Sequence, residues 1–151
     1  MRLFDSIRNK NLAPRKEECI RQKLLKEMTG KLGYPKTLLA VEADLSVLPH
    51  LKNRSFAARR VDILCYANDI HSEFDLYPLL LIECKAFGIT KSAFQQVVGY
   101  NYYVKAPFIA LAAENALKVF WRDCKTSVYR SINFLPYYEE LLRQAKELFD
   151  E

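Results

Sequence analysis

The sequence predicts a single α/β domain, a three-layer sandwich in which helices flank a mixed central β-sheet in the order αβββαββ(β)α. Three observations lead there. The chain has 151 residues, the length of one domain. Its apolar residues switch from helical spacing to period two and back. A helix-patterned stretch joins strands on either side of it, as layered α/β sheets require.

Taken in order, residues 1–11 are a basic N-terminal segment and 12–151 form the domain. Pro14 suits a first helical turn, and Ile20, Leu24, Met28 and Leu32 recur at i+4 spacing. Gly30, Gly33 and Tyr34-Pro35 end that helix. From Leu39 the period is two. Leu39, Val41, Ala43 and Leu45 share one face, and Ala40, Glu42 and Asp44 share the other. Residues 46–59 read as a loop. Val61, Ile63 and Cys65 then alternate with Arg60, Asp62, Leu64 and Tyr66 as a second strand. A polar turn over 68–75 leads to Pro78 and a third strand, Leu79–Lys85. Its near-continuous apolar run suits a central strand covered on both faces. Ala93, Val97, Tyr100 and Val104 form a helical face closed by Pro107. Phe108–Ala112 and Leu117–Trp121 read as a strand pair around Glu114-Asn115-Ala116. Pro136 opens a last helix with Tyr138, Leu141, Leu142, Ala145 and Phe149 inward.

Half of the residues are apolar, 27% are charged and 13% are aromatic, with four glycines and six prolines. This excludes collagen-like, low-complexity and disordered chains. A domain of this size buries roughly 68–70% of the surface its unfolded chain exposes, so it needs no disulfide or metal staple. The longest apolar run, Tyr77–Ile82, falls far short of the ~20 residues of a membrane helix. The N-terminus has no apolar signal core, so a cytoplasmic location without membrane contact is expected. Cys19, Cys65, Cys84 and Cys124 contain no CxxC pair and read as free thiols rather than a zinc site.

The net charge of +5 is unevenly placed. Residues 1–31 hold nine Lys/Arg against four Asp/Glu, whereas 32–151 hold fourteen of each. Within that neutral part Lys52, Arg54, Arg59 and Arg60 stand together as a candidate nucleic-acid-binding cluster. A solvated face is the competing reading.

The chemistry centres on Glu83-Cys84-Lys85 at the end of the third strand. Period two puts Glu83 and Lys85 on one face and Cys84 on the other. The spacing alone is cheap: with this composition about one or two such matches arise by chance, and Asp123-Cys124-Lys125 is a second. Context separates them. Antiparallel pairing with the preceding strand brings Asp62 beside Glu83, and two carboxylates this close call for a cation or a raised pKa. Mg²⁺ typically takes one or two protein carboxylates plus water and phosphate oxygens. Glu42 stands on the polar side of the first strand as a third, outer carboxylate. Gln96 and Tyr100 share a helix face at i,i+4. A structural ion-pair network at a strand end is the competing reading.

The stretches Leu32–Pro35, Ala40-Val-Glu42, Arg60–Leu64, Pro78–Ala86 and Gln96–Asn101 together resemble the N-terminal domain of type I restriction enzyme R subunits. That family lies in the PD-(D/E)XK, restriction endonuclease-like nuclease superfamily, and the likeness runs roughly from Leu12 to Leu142. The resemblance implies Mg²⁺-dependent hydrolysis of DNA phosphodiesters, with Mn²⁺ able to substitute. It implies Asp62 and Glu83 as metal ligands, Lys85 as the residue positioning the attacking water, and Glu42 as an outer helper acid. Gln96 and Tyr100 become the QxxxY element near the scissile phosphate. Val61 stands where the superfamily name has proline, and Asn115-Ala116 where relatives often have Asn-Gly. Neither touches a proposed ligand.

R subunits carry an ATP-driven motor after this domain, and no GxxxxGK[ST] loop occurs here. The expectation is therefore a stand-alone nuclease-like domain, or one whose motor and specificity subunits are separate chains, with a homodimer open. The alternative is a non-catalytic nucleic-acid-binding or assembly module that keeps the nuclease fold.

Overall fold

The computed structural model describes residues 3–45, 48 and 60–149. A small hairpin opens the chain, β1 (Leu3–Asp5) against β2 (Lys10–Leu12). After it come α1 (Lys16–Gly30), a short 3₁₀ turn (Lys36–Leu38), β3 (Leu39–Asp44), β4 (Arg60–Asn68) and β5 (Leu76–Cys84). The chain continues through α2 (Lys91–Val104), β6 (Phe108–Ala112), β7 (Leu117–Arg122), β8 (Tyr129–Ile132) and α3 (Tyr138–Phe149). Among the described residues the hairpin and the short 3₁₀ turn are the additions to the expected order. The hairpin's three-residue strands show no apolar run for a sequence pattern to register.

The six-stranded sheet runs β3-β4-β5-β6-β7-β8 in chain order. Only β5 and β6 are parallel, and α2 is the crossover between them. The apolar run Leu79–Ile82 is fully buried in the middle of this sheet, as its composition requires. One core lies between the sheet and α1 with α3, built on Leu24, Met28, Ile63, Ile82 and Leu141. The other lies under α2 and gathers Leu64, Leu81, Val97 and Ile109. These are the three layers.

One expectation about the faces needs correction. Leu39 and Val41 pack on the α1 side, but Ala43 and Leu45 pack under α2. Val61 and Ile63 divide in the same way. The crossover falls at Glu42, whose φ of 52° is left-handed and breaks the period-two alternation. Such a backbone costs of order 1–3 kcal/mol in a non-glycine residue and persists only where its surroundings hold it.

The sharp stop after α1 also fixes α3. Gly33 takes φ 73°, a conformation glycine reaches without a Cβ penalty. This turns Tyr34 inward, where its hydroxyl donates to the Pro136 carbonyl at 2.8 Å and its ring meets Tyr138 edge-on at 5.5 Å. Tyr34→Phe leaves that carbonyl without its donor, so a loss of about 1–3 kcal/mol is expected in a denaturant titration. Among the described residues no helix is long and apolar enough to cross a membrane. All four cysteines are free, Cys65 and Cys84 buried, Cys19 and Cys124 exposed.

Candidate active site at the end of the central strands

Three strands and two helices converge where β3, β4 and β5 meet α1. Asp62, the third residue of β4, receives the Cys84 N–H of β5 on Oδ2 at 2.7 Å. In return its own N–H donates to Glu83 Oε1 at 3.2 Å. These two bonds replace regular ladder contacts and hold the carboxyls of Asp62 and Glu83 against one another. Glu83 is buried at 6% exposure. Burial, together with the charge of Asp62, pushes its carboxyl up to about 8, and the ammonium of Lys85 only partly offsets them.

Lys85 reaches α2, where its ammonium donates to Gln96 Oε1. Gln96 Nε2 in turn donates to the Tyr100 hydroxyl at 3.1 Å. The i,i+4 spacing on α2 thus becomes a relay from Tyr100 through Gln96 to Lys85. Thr90 secures the start of that helix by accepting the Ala93 N–H at 3.1 Å.

On the α1 side the carboxylates meet two arginines. Arg21 is 7% exposed and grips Glu18 through Nε and Nη2 at 2.6 and 2.8 Å. The same guanidinium reaches Asp62 Oδ1 at 3.3 Å and Glu42 Oε1 at 3.4 Å. Arg8, in the turn between β1 and β2, donates to Glu18 at 2.6 Å and Glu42 at 3.1 Å. Asp5 aims it: fully buried, that carboxylate accepts the Ile7 and Arg8 N–H groups and Arg8 Nε at 2.8, 3.0 and 2.5 Å. Burial alone would raise the carboxyls of Asp5 and Glu18, but these donors outweigh it and hold both below the usual range. Burial would likewise lower the guanidinium of Arg21, and its acidic partners raise it instead.

Of the sequence candidates, the structure joins Asp62 to Glu83 and, separately, Lys85 to Gln96 and Tyr100, with the charge of Lys85 felt at Glu83. Glu42 joins through the two arginines. Arg60 is exposed at the start of β4, opposite Asp44, and Lys52, Arg54 and Arg59 lie outside the described residues. Pattern reading missed Asp5, Arg8, Glu18 and Arg21. For Arg21 the signal exists: Arg21, Leu24, Leu25 and Met28 follow i, i+3, i+4, i+7, so a cation occupies the apolar stripe of α1.

Among the described residues no group of three or more His, Cys, Asp or Glu forms a ready metal cage. A hard cation of the Mg²⁺ type needs only one or two carboxylates. Asp62 with buried Glu83 fits that donor set: the cost of ionising Glu83 beside Asp62 keeps its proton on, and a cation would offset that cost and leave two oxygen ligands.

The arrangement sets a pH signature. Between about pH 5 and 8 folded Glu83 keeps a proton that an unfolded glutamate has lost. The native state then binds more protons, so stability falls as pH rises through this window. Asp5 and Glu18 act oppositely, their contribution fading below about pH 4. Stability is expected to peak near pH 5, and Glu83→Gln is expected to flatten the decline toward pH 8 in urea titrations.

A family model described as "Type I restriction enzyme R protein N terminus (HSDR_N)" matches residues 16–136. No curated protein and no solved structure matches the chain.

Proposed function

Because the chain belongs to the family of type I restriction enzyme R protein N termini, we propose that its restriction-related role is divalent-cation-dependent hydrolysis of DNA phosphodiester bonds. The observation that carries this reading is the contact of Asp62 with buried Glu83, with Lys85 two residues on. It is the site the PD-(D/E)XK pattern would build.

Asp62 and Glu83 would hold the cation, Mg²⁺ or Mn²⁺. When bound, it supplies charge neutralisation at the reacting phosphate and acidification of a water. The remaining work falls to this chain. Lys85 has three ammonium donors; one engages Gln96, leaving two to orient a water and meet a phosphate oxygen. Gln96 and Tyr100 fix the reach of Lys85, and Arg21 fixes the rotamer of Asp62 from the α1 side. Water gives a proton to solvent as its oxygen forms the new P–O bond, the opposite ester bond breaks, and the leaving oxygen takes a proton from solvent. DNA is the partner proposed, together with other restriction subunits.

Incubation with labelled single-stranded, duplex and branched DNA in Mg²⁺ or Mn²⁺, without ATP, tests the reading. Cutting that stops with EDTA and with Asp62→Asn is expected. No cutting on any substrate would favour a DNA-binding or assembly module that retains the fold.

A further inference from the structure

Phe87 is 95% exposed, the most exposed large apolar side chain described. A singly exposed apolar residue needs no explanation by itself. Its position does. It follows Lys85 by two residues and Ala86 by one, and Gly88 at φ 96° turns the backbone directly behind it.

Ala86 lines a cleft of about 520 Å³ that reaches Asp62. Lys10 of the N-terminal segment and Arg15 and Lys16 at the start of α1 line the same cleft. Arg8 and Arg21 also border it, but both are committed to carboxylates. Lys16 leans on Glu114 at 3.7 Å. Lys10 and Arg15 are exposed and make no ion pair among the described residues. The cleft therefore has two uncommitted cations on its lining, Asp62 of the candidate site among its acids, and an exposed aromatic ring on the chain one residue beyond Ala86.

That combination has a chemical meaning. Cations spaced along a groove track a phosphate backbone whatever its form. A bare aromatic ring beside them adds affinity only for a base whose face is free, and in duplex DNA the faces are stacked. We propose that Phe87 is a stacking platform for an unpaired base beside the scissile phosphate, with Lys10 and Arg15 holding the backbone, so that the cleft takes single-stranded or locally opened DNA. This rests on the reading of the site as a phosphodiesterase and names its substrate form. A protein partner docking on Phe87 is the other possible occupant. Lys85 two residues away, Glu83 four residues away and the free cations of the cleft favour a polynucleotide.

Fluorescence anisotropy in EDTA tests this without turnover, using oligothymidylate, an abasic strand of equal length and a duplex. Stacking measured by alanine substitution corresponds to about 5- to 150-fold in affinity per base. Phe87→Ala is expected to weaken oligothymidylate binding within that range, leave the abasic strand and the duplex unchanged, and be rescued by Phe87→Trp. Lys10→Ala with Arg15→Ala is expected to weaken the thymidylate and abasic strands alike, lowering the log–log salt slope by about 0.7 per cation. Thymidylate binding unaffected by Phe87→Ala would overturn the proposal and leave the ring to a protein contact. An equal loss on the abasic strand would overturn it as well. If the wild-type chain binds none of the three, the phosphodiesterase reading falls and the proposal with it.

Discussion

Lys85→Ala is expected to lower the rate of divalent-dependent DNA cleavage by about 10²- to 10⁴-fold, the range set by one positioned proton-handling group. Affinity for DNA is expected to change by less than about threefold, because one partly exposed lysine adds little to a backbone held by several cations. The loss therefore belongs in kcat and kcat/KM together, the pattern of an interaction made only in the transition state. Lys85 stands just past the end of β5, held by Gln96. Its removal is not expected to lower the melting temperature measurably. Gln96→Ala should fall between Lys85→Ala and wild type, since it frees the ammonium without deleting it. An equal loss of binding and turnover in Lys85→Ala would instead make it a simple phosphate contact.

The second large effect is on stability. Arg21→Met is expected to cost about 3–5 kcal/mol, because it leaves Glu18 buried with one guanidinium where it had two, and it strips Asp62 of its cation. At roughly 2–4 °C per kcal/mol for a domain of this size, the melting temperature should fall by about 6–20 °C. Arg21→Lys should recover little, since one ammonium cannot reproduce a fork that spans Glu18, Asp62 and Glu42. Replacing Glu18 and Arg21 together by methionine should recover more, because no buried charge is then left unpaired. Mg²⁺ should raise the melting temperature of Arg21→Met more than that of wild type, since the cation takes over the neutralisation of Asp62. A loss below about 1 kcal/mol would mean that Arg21 is solvated rather than buried in the cluster.

Most of the fold was written in local pattern. The alternation at 39–45 and 61–66, the apolar run at 79–82 and the prolines at 35, 78, 107 and 136 mark elements whose stability comes from burying one face. They fail where the site bends the chain. Period two puts Leu39, Val41, Ala43 and Leu45 on one face, yet the left-handed φ at Glu42 moves the last two to the other layer. No local propensity encodes that turn, because it is held by Arg8 and Arg21 from elements 34 and 21 residues away. The candidate site divides similarly. Asp62, Glu83 and Lys85 are legible because strand pairing and side-chain alternation are local geometry. Arg8 and Asp5 are not, because a six-strand core gives no hint that a short N-terminal hairpin folds back over its end. Arg21 was legible in principle, as a charge within an apolar stripe. Lys10 of the basic N-terminal segment and Arg15 at the start of α1 take their meaning only from the cleft they line, where they face the same space as Asp62.

The most direct test of the site is where a divalent cation goes. In a crystal soaked in Mn²⁺, anomalous density is expected at one position, within coordinating distance of Asp62 and Glu83, with Arg21 still holding Glu18. The same soak of Asp62→Asn is expected to show none. Full Mn²⁺ exposure with no density at the Asp62–Glu83 pair would contradict the reading and leave the cluster a structural ion-pair network.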